Sequence, residues 1–307
     1  MPELPDIELY LHALRPRIVG QRLQCIRLAS PFLVRSVDPP LNLVDGKLVT
    51  GLQRLGKRVV WEMVDDLFLV IHLMIAGRFR WKEPGAKLPG KLGLAAFDFP
   101  TGTVLLTEAG SQRRASMHLV RGEPALRELD PGGLEVLSST VAEFAGMLTR
   151  ENHTLKRSLT DPHFFSGIGN AYSDEILHAA RLSPMQLTSR LAPEQIASLH
   201  GHVVAVLTKW RDLLIAENGN GFPDKVTAFR DEMVAHGRYG QPCPACGTAI
   251  QRIQYASNEA NYCPTCQTGG KLLADRGLSR LLKGDWPKTL EELYKRSGDQ
   301  KKILNDS

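Results

Sequence analysis

The first residues of the chain carry groups that could perform covalent chemistry. The sequence begins Met1-Pro2-Glu3, and removal of Met1 would leave Pro2 with a free secondary amine. Such an amine can attack an electrophilic carbon and form an iminium ion, as lysine does in Schiff-base catalysis. A reference pKa of about 8 leaves a useful fraction of it unprotonated at neutral pH, and Glu3 is an adjacent proton donor. The same residues also fit an ordinary chain start, so the choice depends on other motifs.

Four of the five cysteines form two pairs with the spacing of a metal site. The pairs are Cys243-Pro-Ala-Cys246 and Cys263-Pro-Thr-Cys266, with sixteen residues between them. Four thiolates at this spacing predict one tetrahedral, structural Zn²⁺ that stabilises a small hairpin and leaves no open position for chemistry. Two disulfides are the alternative, and they fit an intracellular compartment poorly.

A glycine-rich turn with an amide could bind a phosphate. Gly167-Ile168-Gly169-Asn170 precedes a predicted helix, and free N–H groups at a helix start attract anions. Glycine lets the backbone approach a ligand closely, and Asn170 adds a side-chain donor. A simple turn would use the same residues.

Several basic residues are further candidates for contacts with phosphate. Lys57 opens a β-rich segment, Arg113 and Arg114 follow a loop-like stretch, and His72 follows an apolar run. A solvated strand end, a solvated turn and a satisfied core histidine are the respective alternatives. Residues 238–283 carry six Lys or Arg against two acidic residues, which fits either a phosphate-binding hairpin or a solvated basic face.

Composition and periodicity set the frame that must position these residues. The 307 residues are 43% hydrophobic, with a net charge of +5 and a pI near 9.0, which fits a cytoplasmic protein of about two domains. The sequence has no apolar run long enough to span a bilayer. We predict a helix over 5–14 and short strands between about 21 and 121. Expected strands include 58–64, 67–73, 92–99 and 103–106. Expected helices lie at 136–150, 155–160, about 171–181, and from Pro193 to about 218.

Taken together and in order, these motifs resemble one family. The chain has PELPDIE at its amino terminus, GKR around Lys57, HLMIAGR at 72–78, GIGN before a helix, and a late CxxC…CxxC hairpin. This combination is similar to the formamidopyrimidine-DNA glycosylase and endonuclease VIII family of base-excision repair enzymes. The resemblance covers roughly residues 2–283.

The resemblance implies an α+β multidomain fold. We expect an N-terminal β-sandwich with an N-terminal helix at 1–133 and a helix-two-turn-helix domain at 134–236. A zinc-finger hairpin at 237–283 and a polar tail at 284–307 would follow. DNA would be the partner and one structural Zn²⁺ the cofactor.

The resemblance also implies roles for individual residues. Pro2 would attack C1′ of the damaged nucleotide, Glu3 would donate a proton to the opening sugar, and Lys57 would bind phosphate near the lesion. Asp6 stands at a position that is acidic in the family. The residues expected to contact DNA are His72, Ile75, Arg113, Arg114, Gly169, Asn170 and Asn258.

Several positions depart from the family pattern. Asp6 replaces the usual glutamate, and HLMIAG replaces HLGMSG, which puts Ile75 where an intercalating methionine is usual. In the void-filling loop, Ala115 stands in place of the usual phenylalanine. In the zinc hairpin, the neutral Asn258 replaces the usual arginine. These changes concern recognition of the lesion and the strand rather than the amine.

We therefore expect a bifunctional DNA glycosylase and abasic-site lyase that cleaves by β- or β,δ-elimination. Its partner would be damaged DNA, duplex or single-stranded. We further expect a monomer that is not bound to a membrane and associates with the nucleoid. A non-catalytic or lyase-only damage-binding protein of the same fold is the main alternative. A zinc-ribbon module that binds other proteins is the third, and it predicts no salt-dependent affinity for DNA.

Overall fold

The structure is a computed structural model that describes residues 1–110, 112–227, 229–255, 259–274, 285 and 287–297. The chain divides into two compact units. The first comprises Met1–Glu135 and Leu207–Ala228, and the second comprises Val136–Val206 and Phe229–Ser307. The finer division into four parts expected from the sequence stays a prediction.

The first unit contains two antiparallel sheets of four strands each. Its strands are β1 (Cys25–Leu28), β2 (Val49–Leu55), β3 (Arg58–Met63), β4 (Leu67–His72), β5 (Gly77–Lys82), β6 (Gly93–Phe99), β7 (Gly102–Glu108) and β8 (Ser116–Arg121). One sheet has the order β1-β6-β7-β5 and the other the order β2-β3-β4-β8. The β-sandwich implied by the resemblance is confirmed, and all four strands predicted individually are present.

Aromatic side chains fill the space between the two sheets. Trp61 of β3 is fully buried, and its ring centroid lies 4.9 Å from that of Phe97 and 5.8 Å from that of Phe99. Phe79 of the edge strand β5 also packs against Tyr10, with ring centroids 5.4 Å apart. Because Tyr10 belongs to the first helix, this contact fixes that helix on the sandwich.

The helices are α1 (Leu4–Ile18), α2 (Glu123–Arg127), α3 (Val141–Thr149), α4 (Leu155–Thr160), α5 (Asn170–Ala179), α6 (Pro193–Asn218), α7 (Pro264–Thr268) and α8 (Leu290–Ser297). Helix α1 is longer than the predicted 5–14, because the buried Ile18 extends the apolar face formed by Leu11 and Leu14. Among the described residues, no helix is both long and apolar enough to cross a membrane.

The prediction that a helix begins at 136 was wrong. Helix α3 begins at Val141, because Thr140 caps it in a reciprocal capping box with Glu143. The Glu143 N–H donates to Thr140 Oγ1 at 3.2 Å, and the Thr140 N–H donates to Glu143 Oε2 at 2.8 Å. A threonine followed three residues later by glutamate is the sequence signature of this start.

A short hairpin follows in the second unit. Its strands are β9 (Gln251–Gln254) and β10 (Glu259–Tyr262), which pair antiparallel. The two cysteine pairs flank this hairpin, as the spacing predicted. Helix α5 begins at Asn170, one residue earlier than the predicted 171.

Candidate functional site

The amino terminus lies at the start of α1 among buried acidic groups. Pro2 is buried, Glu3 is 3% exposed and Asp6 is fully buried. The Glu3 N–H donates to Asp6 Oδ2 at 2.9 Å, and the Glu3 side chain completes a capping box with the backbone of Asp6. Asp6 therefore holds Glu3 in place at the start of α1 through these two bonds.

Several residues predicted from the sequence act on the charge of the terminal amine. Burial lowers the pKa of the Met1 amine, and Glu3 and Asp6 act in the opposite direction. The positive charges of Arg78 and Lys57 lower the pKa further. Lys57 lies in the turn between β2 and β3. Two carboxylates and two cations therefore act on the amine at the chain start. A neutral amine is favoured in this setting.

His72 lies at the end of β4 beside other basic groups. It pairs with Arg58 of β3 and Ser116 of β8 in the sheet register. Burial lowers the pKa of His72 to about 4, and the charges of Arg58, Lys57 and His118 act in the same direction. Among the described residues, nothing hydrogen-bonds to its buried Nε2. His72 is thus neutral at pH 7 and differs from the satisfied core histidine considered above.

The segment after β4 presents Ile75 to solvent. Leu73 is fully buried, whereas Ile75 is 59% exposed. A Cβ at Gly77 would lie 2.2 Å from the Leu73 carbonyl oxygen, so the turn requires glycine there. The Arg78 guanidinium donates to the Ile75 oxygen at 3.1 Å and to the Gly77 oxygen at 2.7 Å. This tight, braced turn holds an exposed apolar side chain, as the expected wedge requires.

A buried carboxylate holds the loop that contains Arg113 and Arg114. Glu108, at the end of β7, is 1% exposed. It accepts the Arg114 N–H at 3.0 Å and the Ala115 N–H at 3.1 Å. Arg113 donates to the Lys91 carbonyl oxygen. Ala115 is buried rather than protruding, so the part of this loop that is described presents arginines and no aromatic side chain.

In the second unit, Gly169 and Asn170 form the start of α5. Gly169 is its N-cap residue, and the Ser173 hydroxyl donates to the Gly169 oxygen at 2.6 Å. The Asn170 side-chain amide donates to the Glu259 backbone oxygen of β10 at 2.8 Å. This bond uses one of the two amide hydrogens, and no described residue accepts the other. Asn258 lies outside the described residues.

A buried polar network around α5 was not predicted from the sequence. Lys156 donates to Asp174 Oδ1 at 2.5 Å, and His236 Nδ1 lies 2.8 Å from Asp174 Oδ2. The Glu175 carboxylate accepts three consecutive N–H groups, those of residues 234–236, at 2.8–2.9 Å. These bonds join α4, α5 and the segment that leads into the zinc hairpin.

The four paired cysteines form a site that fits zinc. The Sγ atoms of Cys243, Cys246, Cys263 and Cys266 all lie within 4.8 Å of one another. Cys243 and Cys266 are 3.9 Å apart, and Cys246 and Cys263 are 3.4 Å apart. A tetrahedron with Zn–S bonds of about 2.3 Å has edges of about 3.8 Å. The spacing therefore fits one structural Zn²⁺ ligated by four thiolates.

An outer contact supports this metal site. His178 Nε2 of α5 lies 3.2 Å from the Cys243 Sγ, so it can orient a ligating thiolate by a hydrogen bond. The hydroxyls of Thr248 and Thr265 lie 2.8 Å apart and join the two cysteine turns.

The fold and the site together define the class of this protein. It has a β-sandwich with a capped N-terminal helix in one unit, and a glycine turn before α5 and a hairpin with four thiolates in the other. Family models match along the chain. The formamidopyrimidine-DNA glycosylase N-terminal domain matches residues 1–115, the H2TH domain of that glycosylase matches 133–211, and a zinc finger found in FPG and IleRS matches 240–269. The chain belongs to the formamidopyrimidine-DNA glycosylase family.

Individual relatives agree with this assignment. A formamidopyrimidine-DNA glycosylase from Moorella thermoacetica is 30% identical over 266 residues, which cover 83% of this chain and 95% of the relative. An uncharacterised formamidopyrimidine-DNA glycosylase-like protein from Mycobacterium tuberculosis is 41% identical over 162 residues. These residues cover 53% of this chain and 99% of that protein.

Solved structures have the same fold. A Lactococcus lactis Fpg in complex with abasic-site DNA is 26% identical, with a TM-score of 0.76, and the match covers 87% of this chain and 99% of that one. A MutM complex with DNA containing carbocyclic 8-oxo-G has the same identity and TM-score and covers 87% and 100%.

Proposed function

We propose that this chain is a DNA glycosylase of base-excision repair that is also an abasic-site lyase, with the Pro2 amine as nucleophile. The observation that carries the proposal is the setting of the amino terminus. Glu3, Asp6, Lys57 and Arg78 all act on the charge of the terminal amine. The relatives named as formamidopyrimidine-DNA glycosylases, and the neighbour bound to abasic-site DNA, support the substrate class.

The proposed reaction begins after removal of Met1. The Pro2 nitrogen attacks C1′ of the damaged nucleotide, and the bond to the base breaks with its electron pair leaving on the base. The nitrogen then passes its proton to the Glu3 carboxylate, and the C1′–O4′ bond opens as Glu3 delivers this proton to O4′. The product is an iminium ion between Pro2 and C1′. Its positive charge acidifies the C2′ hydrogen, so that loss of this proton expels the 3′ phosphate.

The buried setting suits each of these steps. Desolvation lowers the pKa of the amine at the chain start and so favours its neutral form, and only a neutral amine has a lone pair for attack. The capping box between Glu3 and Asp6 holds the donor carboxyl at the start of α1. Lys57 carries a positive charge that can bind a phosphate of the reacting nucleotide.

The remaining predicted contacts would hold the DNA. Ile75, which is 59% exposed, would fill the gap left when the target nucleotide leaves the stack. Arg113 and Arg114 would support it from the adjoining loop, and Asn170 would donate its second amide hydrogen to a phosphate. A structural Zn²⁺ would keep the hairpin folded and supply no chemistry.

Borohydride reduction tests this proposal, because it converts an iminium ion into a stable covalent adduct. We expect the processed protein to give an adduct with abasic-site DNA. Pro2→Gly should weaken or abolish it, and Glu3→Gln should slow its formation. Glu128→Gln, a change at an exposed residue of the same unit, is the matched control. Absence of an adduct with protein that has lost Met1 would contradict the proposal.

A non-catalytic or lyase-only damage-binding protein is the second candidate. The observation that favours it is the buried Ala115, which leaves the described part of its loop without an aromatic side chain to stabilise an opened duplex. Lyase action on an existing abasic site needs no base pocket, whereas excision of a damaged base does. Adduct formation with abasic DNA, but not with any lesion-containing duplex, would favour the lyase-only form.

A further inference from the structure

The outward face of β5 carries a stripe of positive charge. Arg78, Arg80 and Lys82 alternate along this strand with Phe79 and Trp81. Phe79 is buried against Trp61 and Tyr10, so the basic side chains occupy the other face. Alternate residues of a strand lie about 6.6 Å apart. Because β5 is the last strand of its sheet, this row lies along an edge.

The stripe borders a cavity of about 430 Å³. The connection between β5 and β6 adds a fourth cation, Lys87, and the cavity is lined on its apolar side by Leu92 and Leu105. None of the described residues that line the cavity carries a carboxylate. Four like charges around one concave site repel each other unless an anion lies between them.

Some other cations of this unit form close ion pairs. Arg27 pairs with Asp98 at 2.5 Å, and Lys47 pairs with Asp65 at 2.5 Å. In the part of the chain that the structure describes, Arg80, Lys82 and Lys87 are exposed and have no ion pair. Their charges are thus available to an external anion.

The position of the cavity indicates which anion it takes. Ala76 and Ala109 also line it. Ala76 belongs to the turn that exposes Ile75, and Ala109 begins the loop of Arg113. Arg78 joins the cavity to this turn through its bond to the Ile75 oxygen. An anion held here lies directly beside the proposed wedge.

We infer that Arg80, Lys82 and Lys87 bind backbone phosphates of the DNA strand that passes beside Ile75. This inference rests on the proposed function, since it assigns a second phosphate-binding surface to the same DNA site. The contacts give affinity without sequence preference, and they release counterions from the DNA. Arg78 braces the turn and is left out of the test for that reason.

The experiment compares the salt dependence of binding in three triple variants. R80Q/K82Q/K87Q removes the surface, R80K/K82R/K87R keeps its charge, and R22Q/R127Q/K209Q removes the same charge from exposed positions elsewhere in the unit. Each is titrated with a labelled duplex that carries a tetrahydrofuran abasic-site analogue, at several salt concentrations. Thermal unfolding checks that all three are folded.

We expect R80Q/K82Q/K87Q to lower the slope of log K against log salt by about 2 to 3, at about 0.9 for each phosphate contact. Affinity at about 0.1 M salt should fall on the order of 10²-fold. The other two triples should keep slopes within about 0.5 of the unsubstituted protein. The rate of borohydride trapping at saturating DNA should be unchanged in R22Q/R127Q/K209Q, whose residues lie outside the proposed surface.

Equal losses in R80Q/K82Q/K87Q and R22Q/R127Q/K209Q would overturn the inference and leave the proposed function intact, because only general attraction to DNA would then be involved. Binding by the unsubstituted protein that does not depend on salt would overturn the inference and the proposed function together.

Discussion

Glu108 offers the sharpest test of how the arginine loop is held. We predict that Glu108→Gln detaches the segment around Arg114 and Ala115 from the end of β7. The carboxylate accepts both backbone N–H groups at 3.0–3.1 Å and is 1% exposed. Oε2 accepts both N–H groups, and Oε1 also accepts the Arg114 N–H. A glutamine has one acceptor oxygen, so its NH₂ group faces the Arg114 N–H in either orientation, which leaves two donors facing each other.

The size of the effect follows from these contacts. Hydrogen bonds to a charged group contribute about 1.5–3 kcal/mol each, and a buried unsatisfied donor costs about 1–3 kcal/mol. Loss of one such bond and weakening of the other should lower the free energy of unfolding by about 3 kcal/mol. For a unit of this size, that corresponds to a fall of roughly 6–12 °C in Tm.

Calorimetry and hydrogen exchange measure the two consequences. We expect a lower Tm for the first unit in Glu108→Gln, together with faster exchange of the Arg114 and Ala115 amides. Glu128→Gln is the control at an exposed carboxylate and should stay within about 0.5 kcal/mol. Unchanged amide protection and an unchanged Tm in Glu108→Gln would refute the role assigned to this carboxylate.

Further predictions concern the metal, a histidine and two glycines. Chelation should release one equivalent of zinc and lower the Tm of the second unit, with recovery when zinc is added back, because four thiolates hold the hairpin. The folded-state pKa of His72, about 4, lies below the unfolded value of about 6.5. Its contribution to stability should therefore be complete above about pH 6.5 and decline as the pH falls toward 4; an NMR titration of His72 with a midpoint near 6.5 would contradict this. Gly77→Ala should lower the free energy of unfolding by more than about 2 kcal/mol, because the new Cβ would clash with the Leu73 oxygen. Gly146→Ala in α3 has open space around its Cβ position and should raise the free energy of unfolding by about 0.5–1 kcal/mol. Equal effects of the two substitutions in chemical denaturation would contradict both predictions.

Features with a local pattern could be predicted from the sequence. The cysteine spacing gave the zinc ligands, apolar periodicity gave α4, α5 and α6, and β-rich runs between turn residues gave β3, β4, β6 and β7. The start of α3 was misplaced because apolar residues from Val136 suggested a helix, although the signal in Thr140 and Glu143 was present in the sequence.

Features that depend on distant residues could not be predicted. Glu108 is six or seven residues from the amides it accepts, and Glu175 is about sixty residues from the segment it binds. A single carboxylate has no local pattern that distinguishes a buried acceptor from a solvated charge. The stripe on β5 could not be predicted for a related reason. Since β5 itself was not predicted, the alternation of basic and aromatic residues from Arg78 to Lys82 could not be assigned to the two faces of a strand.

Mass spectrometry of the borohydride-trapped complex tests the central claim most directly. After digestion of protein and DNA, we expect the amino-terminal peptide to begin at Pro2 and to carry the mass of the reduced deoxyribose fragment on the Pro2 nitrogen. A peptide that retains Met1 in fully active protein, or a sugar fragment attached to a lysine instead of Pro2, would contradict the account.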